Sequence, residues 1–271
     1  MNVASSESRS AGHYQELVRA GLDGDYDALA LAGGDGTVAL ALNAAAGLNR
    51  MPWAILPTGS GNDFAKDLGL IGVSQAFDVL NSGSLQAVDS AIASWGDRQQ
   101  RYCCVASVGL DELALRMIHA SRWPRSKALN IVASLRALWH YRPRAVRVTW
   151  PEGVFEGEIM FVAVTNTRGY GGGFLVSPQA CLQDGLLDLC IVRRTGRLRL
   201  LTQFPRILRG TLGVMPEVIQ AQCSWVRIDG VEEELPVTLD GDLPEVTTPV
   251  ELRCDPCSVQ VVVPVLWKRG M

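Results

Sequence analysis

Residues 27–37 read DALALAGGDGT and residues 52–65 read PWAILPTGSGNDFA, and these two stretches decide the fold. In the first, Asp27–Ala32 is a short apolar run with the character of a buried strand, ended by Gly33-Gly34-Asp35-Gly36. Thr37–Ala46 then has helical composition and closes at Gly47, where a helix is expected to stop. In the second, Pro52–Leu56 reads as a buried strand, Thr58–Asp63 as a glycine-rich turn and Phe64–Leu68 as a helix. Strand, glycine turn and helix, occurring twice, is the pattern of a parallel α/β unit. Glycine turns at the carboxyl ends of neighbouring parallel strands converge on one crevice, where such sheets bind ligands.

Working outward, Ser5–Ser8 is polar, and His13–Ala20 has helical composition and stops at Gly21. Beyond Val88 the rhythm changes. Short strands are expected at Ala91–Trp95, Tyr102–Val108, Ala145–Trp150, Gly157–Thr165 and Leu186–Val192. Further strands are expected at Trp225–Asp229, Pro236–Leu239, Val250–Leu252 and Ser258–Val265. Only Leu113–Ala120, Lys127–Tyr141 and Leu198–Leu208 look helical. The expected architecture is α/β plus β: a parallel α/β domain over residues 1–87 and a β-sandwich domain over 88–271, with the last strand returning to the first domain.

Composition narrows the function. The chain has 271 residues, 48% hydrophobic and 20% charged, as in ordinary globular proteins. Its longest uncharged run, Gly169–Gln183, is 15 residues and glycine-rich, short of the ~18 apolar residues of a membrane span. No basic start followed by an apolar stretch marks a secretory signal, and seven scattered cysteines argue against a disulfide framework, so a cytoplasmic protein is expected. Three histidines leave little room for a multi-histidine metal site. Charge is segregated: residues 113–150 and 189–216 hold no acid but carry fourteen of the 25 basic residues, Arg125 among them. That distribution points to an anionic partner or, more plainly, to a solvated face.

The glycine turns carry the chemistry. At Gly33-Gly34-Asp35-Gly36-Thr37, glycine lets backbone N–H groups approach a phosphate and the following helix adds a favourable dipole. Thr37 can cap that helix or bind an anionic oxygen, and Asp35 sets a carboxylate where a metal–nucleotide complex needs one. The plain alternatives are a tight turn there, a helix start capped by Asn62 or Asp63 in the second element, and a hairpin turn at Asp240-Gly241-Asp242. Cys254-Asp255-Pro256-Cys257 has ligand spacing without a second pair, and reads as a turn between strands. Adjacent Cys103 and Cys104 are expected on opposite faces of a strand as packing residues, and His119 and His140 on the surface.

Five motifs in order resemble the diacylglycerol kinase and sphingoid-base kinase catalytic family. They are Gly33–Thr37, Leu56–Ala65, Val108-Gly109-Leu110-Asp111, Gly171–Ala180 with Asp184-Gly185-Leu186-Leu187-Asp188, and Leu239–Asp242 ahead of Val262-Val263-Pro264. Sphingosine kinases usually carry Ala where this chain has Asp63, which favours the diacylglycerol kinase side. The resemblance implies an ATP- and Mg²⁺-dependent lipid kinase with its active site between the two domains. Gly33, Gly34, Gly36 and Thr37 would cradle ATP phosphates and Asp35 would position the nucleotide and its magnesium. Gly59, Ser60 and Asn62 would line the same cleft, with Asp63 in its acidic cluster. Asp242 stands where the family usually has a Glu general base, and Asp184 would belong to a second, structural magnesium site. The family also begins with a strand and an Asn-Pro-x-Ser-Gly-like loop, and only 32 residues precede Gly33, so a sheet short of one strand–helix unit is expected.

Trp123, Trp139 and Tyr141 are interleaved with the arginines of the first basic window, a mixture suited to lipid headgroups. The expected partners are ATP and a lipid, most favourably diacylglycerol, met at a membrane surface by a peripheral cytoplasmic enzyme. A homodimer is compatible with this reading, and no nucleic acid is expected, because no RNA- or DNA-binding motif accompanies the charge. Two alternatives stay open. One is a kinase of a soluble acceptor, since NAD kinases and phosphofructokinases share the Gly-Gly-Asp-Gly-Thr turn. The other is an inactive lipid-binding relative lacking the N-terminal phosphate loop.

Overall fold

The computed structural model describes residues 3–45, 51–124, 126–243 and 245–267. Helix α1 (Ala11–Asp23), capped by Ser10, runs through Gly21 to stop at Gly24. Strand β1 (Leu29–Gly33) leads into α2 (Asp35–Ala44), and β2 (Trp53–Pro57) into the short helix α3 (Asp63–Asp67). Helix α2 therefore starts two residues before the expected Thr37, and the expected end at Ala46 and Gly47 lies outside the described residues. β1 and β2 pair in parallel, Leu29 opposite Trp53 and Gly33 opposite Pro57. Among the described residues, no strand pairs with the outer edge of β1.

Helix α4 (Val73–Ser82), which sequence reasoning did not anticipate, precedes a long strand β3 (Ser84–Trp95) and a polar strand β4 (Arg98–Tyr102). β5 (Val105–Gly109) then feeds helices α5 (Leu110–His119) and α6 (Lys127–His140). The remainder is β6 (Arg144–Trp150), β7 (Gly153–Thr165), β8 (Leu187–Arg193), α7 (Arg197–Leu208), β9 (Val218–Cys223), β10 (Trp225–Gly230), β11 (Val237–Leu239) and β12 (Val250–Val263). β12 corrects the expectation of two strands. It is continuous, and Cys254–Cys257 forms a bulge within it, with Cys257 at φ 50°, rather than a turn.

The β-rich part is a sandwich. Its inner face is built by alternating residues such as Val146, Val148, Val162, Val164, Ile191, Ile228 and Leu252, all buried. A second core, with Leu31, Leu42, Ile55 and Phe64, lies between the helices and the parallel strands. β12 joins the two parts: Val261 pairs in parallel with Trp53 of β2, while its length is antiparallel to β3 and β10. The 87/88 division falls inside β3. Cys103 and Cys104 are buried as expected, but in a bend between β4 and β5, their sulfurs 3.7 Å apart rather than on opposite faces.

Candidate active site

The two glycine turns meet back to back. Gly33 carbonyl accepts the N–H of Thr58, and a Cβ on Gly59 would lie 2.5 Å from the Cα of Gly34. Only hydrogen at Gly59 permits that approach, and a Cβ on Gly34 would sit tightly at 3.1 Å from the Gly59 Cα. Gly33 is equally constrained, since its Cβ would meet Oγ1 of Thr37. Asn62, at φ 56°, clamps the second turn: Oδ1 accepts Gly59 N–H at 2.9 Å and Nδ2 donates to the Gly59 carbonyl at 2.7 Å. We expect Gly59→Ala to cost about 1–3 kcal/mol of stability and to weaken nucleotide binding in parallel, because backbone must move to admit the methyl. Urea unfolding and titration with an ATP analogue check both.

Asp35 begins α2 and holds the start of α3. Its Oδ2 accepts the N–H of Asp63 (3.1 Å) and its Oδ1 that of Phe64 (3.0 Å). Burial, then the neighbouring Asp63, push its carboxyl above the usual carboxylate range. Asp63 is buried; its Oδ1 accepts from Lys66 Nζ at 3.0 Å and its Oδ2 from the Gly172 N–H at 2.7 Å. The second contact draws in the loop after β7. Gly171, Gly172 and Gly173 all have positive φ (64°, 81° and 134°), a path open chiefly to glycine. Asn130 of α6 donates to the Gly171 carbonyl, and the Arg168–Asp67 ion pair fastens the same loop to α3.

Asp240-Gly241-Asp242 is the hairpin turn expected of it, and it lines the same cavity as the glycine turns. Leu239 and Asp242 exchange backbone hydrogen bonds around a two-residue turn with Asp240 and Gly241 at positive φ. Asp240 reaches back, accepting N–H groups from Cys103 (2.7 Å), Cys104 (2.7 Å) and Val105 (3.0 Å). Burial, and to a lesser degree Asp35, push its carboxyl up to about 6 against those bonds. Asp242 is exposed, and its Oδ2 stands 3.8 Å from where a Cβ on Gly36 would be.

These groups line one cavity of about 520 Å³. Its lining includes Gly34–Thr37, Gly59–Gly61, Asp63, Asp240, Gly241 and Asp242. It also includes the apolar Leu110, Ala114, Ile118, Phe161, Phe174, Phe204 and Ile207. Among the expected residues, Gly33 and Asn62 sit behind the turns rather than in the cavity wall, and Asp184 is elsewhere. Sequence reasoning missed Asp111, whose carboxylate accepts from Tyr170 OH and which burial shifts upward. Its position after Gly109, at a strand-to-helix junction, was the available signal. His119 also reaches the cavity wall from the exposed end of α5, whereas His140 caps its own helix on the surface.

Asp184 lies beside β8 with Asp188 and Asp89. Its Oδ1 accepts Leu186 N–H, while Asp89 accepts Gly185 N–H and Cys257 N–H. Burial, then Asp89, raise the Asp184 carboxyl. Asp188 is buried with one oxygen lacking any partner, and burial, then Asp184, push it up to about 7.

This is an α/β fold with a β-sandwich second part, its paired glycine turns backed by carboxylates in a partly apolar cavity. Residues 1–93 match the model of the diacylglycerol kinase catalytic domain, and residues 104–263 that of the YegS C-terminal NAD kinase beta sandwich-like domain. The chain therefore belongs to the family of diacylglycerol kinases and YegS-like lipid kinases. It is 30% identical to a diacylglycerol kinase of Mycobacterium tuberculosis, over 97% of this chain and 84% of that protein. A diacylglycerol kinase of Bacillus subtilis is 28% identical over 80% of this chain and 72% of its own length. A crystal structure of a putative diacylglycerol kinase from Bacillus anthracis shares the fold, at TM-score 0.76 and 23% identity, covering 94% of this chain and 84% of that one.

Proposed function

We propose that this lipid kinase transfers the γ-phosphoryl group of ATP to the hydroxyl of diacylglycerol, at a membrane surface, from the cytoplasm. The observation that carries the reading is that one cavity is lined both by the glycine turns with their carboxylates and by apolar side chains of α5 and α7. A soluble, polar acceptor would leave that apolar lining unsatisfied. No helix among the described residues is long and apolar enough to cross a membrane, and in this reading the lipid is met at the surface. In this reading residues 1–87 carry the nucleotide and 88–271 the lipid.

Backbone N–H groups of Gly34, Gly36 and Ser60, with the Thr37 hydroxyl, receive the phosphates, while the Gly59 N–H stays with Asn62. Phosphoryl transfer asks for positioning and charge neutralisation rather than a strong nucleophile. Asp242 takes the proton of the lipid hydroxyl. No Lys or Arg is among the described residues lining the cavity, whereas Asp35, Asp63, Asp111, Asp240 and Asp242 are. Five carboxylates facing a polyphosphate require a divalent cation between them, and the all-oxygen donors suit Mg²⁺. Asp35 and Asp63 would hold it through lone pairs their present donors leave open, and it would neutralise phosphate charge. Transfer from ATP to diacylglycerol in mixed micelles tests the reading; no transfer, with no nucleotide binding, overturns it.

The orphaned oxygen of Asp188 beside Asp184 fits a second, structural Mg²⁺ held by those two carboxylates. A carboxyl raised to about 7 contributes stability that is complete below about pH 4 and is lost as pH rises through 7. Added Mg²⁺ should therefore raise the melting temperature little at pH 5 and clearly at pH 8. Asp188→Asn should abolish that increment. A Mg²⁺ response unchanged in Asp188→Asn would remove the site.

A further inference from the structure

We propose that the outer faces of α6 and α7, with the Ser121–Pro124 loop ahead of α6, seat on an anionic lipid bilayer and admit the acceptor lipid into the cavity. The identity of the acceptor rests on the lipid-kinase reading above; the docking face does not. Helix α6 turns Val132, Arg136 and Trp139 outward along one stripe, and α7 turns out Leu198, Leu201 and Pro205. Trp123, Trp139 and Leu198 are 71%, 59% and 70% exposed, unusual for such side chains outside an interaction surface.

Charge complements this apolar relief. Within the two acid-free windows, Arg144 pairs with Glu233, Arg147 with Glu156 and Arg194 with Glu158, Arg193 of β8 donates to the Pro216 and Glu217 carbonyls, and Arg116 and Arg199 pair with Glu112 and Glu217. Arg122, Lys127, Arg136, Arg142 and Arg209 are exposed and, among the described residues, form no ion pair. The free cations thus lie with the exposed indoles and leucines around α6 and α7. Nucleic acid would use the cations but has no place for Val132, Leu198 and Leu201. A bilayer uses both, cations at its phosphates and apolar side chains at the acyl boundary.

The same helices wall the cavity from inside. Ala114 and Ile118 of α5, Asn130 and Ser134 of α6, and Phe204 and Ile207 of α7 line it, with α6 packed beside both neighbours. A helix is about 10 Å across, so a bilayer seated outside lies one helix thickness from the cavity. Lipid would pass between these helices without crossing water.

Flotation of the full chain with phosphatidylcholine vesicles, with and without phosphatidylglycerol, tests the proposal. Wild type should float only with the anionic vesicles, and less as salt rises. Arg136→Gln/Arg142→Gln should weaken that binding about 25-fold, near fivefold per arginine, and Trp123→Ala/Trp139→Ala at least tenfold. Phe77→Ala, an exposed apolar residue on α4, should change nothing. Each variant should keep wild-type melting and kcat on short-chain diacylglycerol in detergent micelles, while its KM for vesicle-borne diacylglycerol rises. Equal flotation with both vesicle types, or variants that float like wild type, overturns the docking face. So does binding of duplex DNA or RNA that the arginine variant loses while vesicles are ignored. If wild type floats as expected but phosphorylates no micellar diacylglycerol, the docking face stands and the kinase reading falls.

Discussion

Asp242→Ala is expected to lower kcat about 10²–10⁴-fold, the usual contribution of a positioned general base. The structure supplies a reason independent of family pattern. Asp35 is tied to the N–H groups of Asp63 and Phe64, Asp63 to Lys66 and Gly172, Asp111 to Tyr170, and Asp240 to three N–H groups. Asp242 is the cavity carboxylate with no side-chain hydrogen bond or ion pair among the described residues. Its carboxylate is unengaged, and its place beside Gly36 sets it against the first glycine turn. Asp242→Asn keeps shape and loses basicity, so it should fall nearly as far as Ala. Asp242→Glu should stay within about tenfold, since it restores a base with one more methylene of reach. Steady-state rates on micellar diacylglycerol, with melting curves to establish folding, decide the matter. Turnover in Asp242→Ala equal to wild type would remove Asp242 from the chemistry.

The parallel strands and their glycine turns were legible because two independent signals coincide there, an apolar run of strand length and glycines where chains must touch. The sequence assigns the glycines to a phosphate; in the structure Gly34 and Gly59 let the two turns touch, and Gly33 makes room for the Thr37 side chain. What the sequence concealed depends on distant partners. β4, RQQRY, has no apolar alternation and is a strand only because β3 offers it a ladder. β12 looked interrupted at Pro256, but Asp89 accepts the Cys257 N–H and turns the interruption into a bulge. Asp35 reads locally as a ligand for a metal–nucleotide complex, yet much of its hydrogen bonding serves the helix that follows the next strand. Residues 63 and 172 could be recognised separately as motifs, but their hydrogen bond is visible only in three dimensions.

Asp240 illustrates the same point with a large energetic consequence. Asp240→Ala is expected to cost about 3–5 kcal/mol, because the buried Cys103, Cys104 and Val105 would be left with three unpaired N–H donors. Asp240→Asn separates the cause. Asparagine tolerates φ near the 49° found here, so the turn is kept, and its one carbonyl oxygen can still serve Cys104 and Val105. Its amide then faces the Cys103 N–H, donor against donor, for a loss of about 1–2 kcal/mol. The pH dependence has a definite sign. With its carboxyl pushed up to about 6, above the unfolded value near 4, Asp240 contributes stability that is complete below about pH 4 and lost as pH rises through 6. Asp240→Asn should therefore flatten that part of the stability curve as well as lower it. Urea unfolding at several pH values measures both effects. An Ala variant as stable as wild type would mean that the three N–H groups are satisfied by water, and that the carboxylate does not hold the bend between β4 and β5.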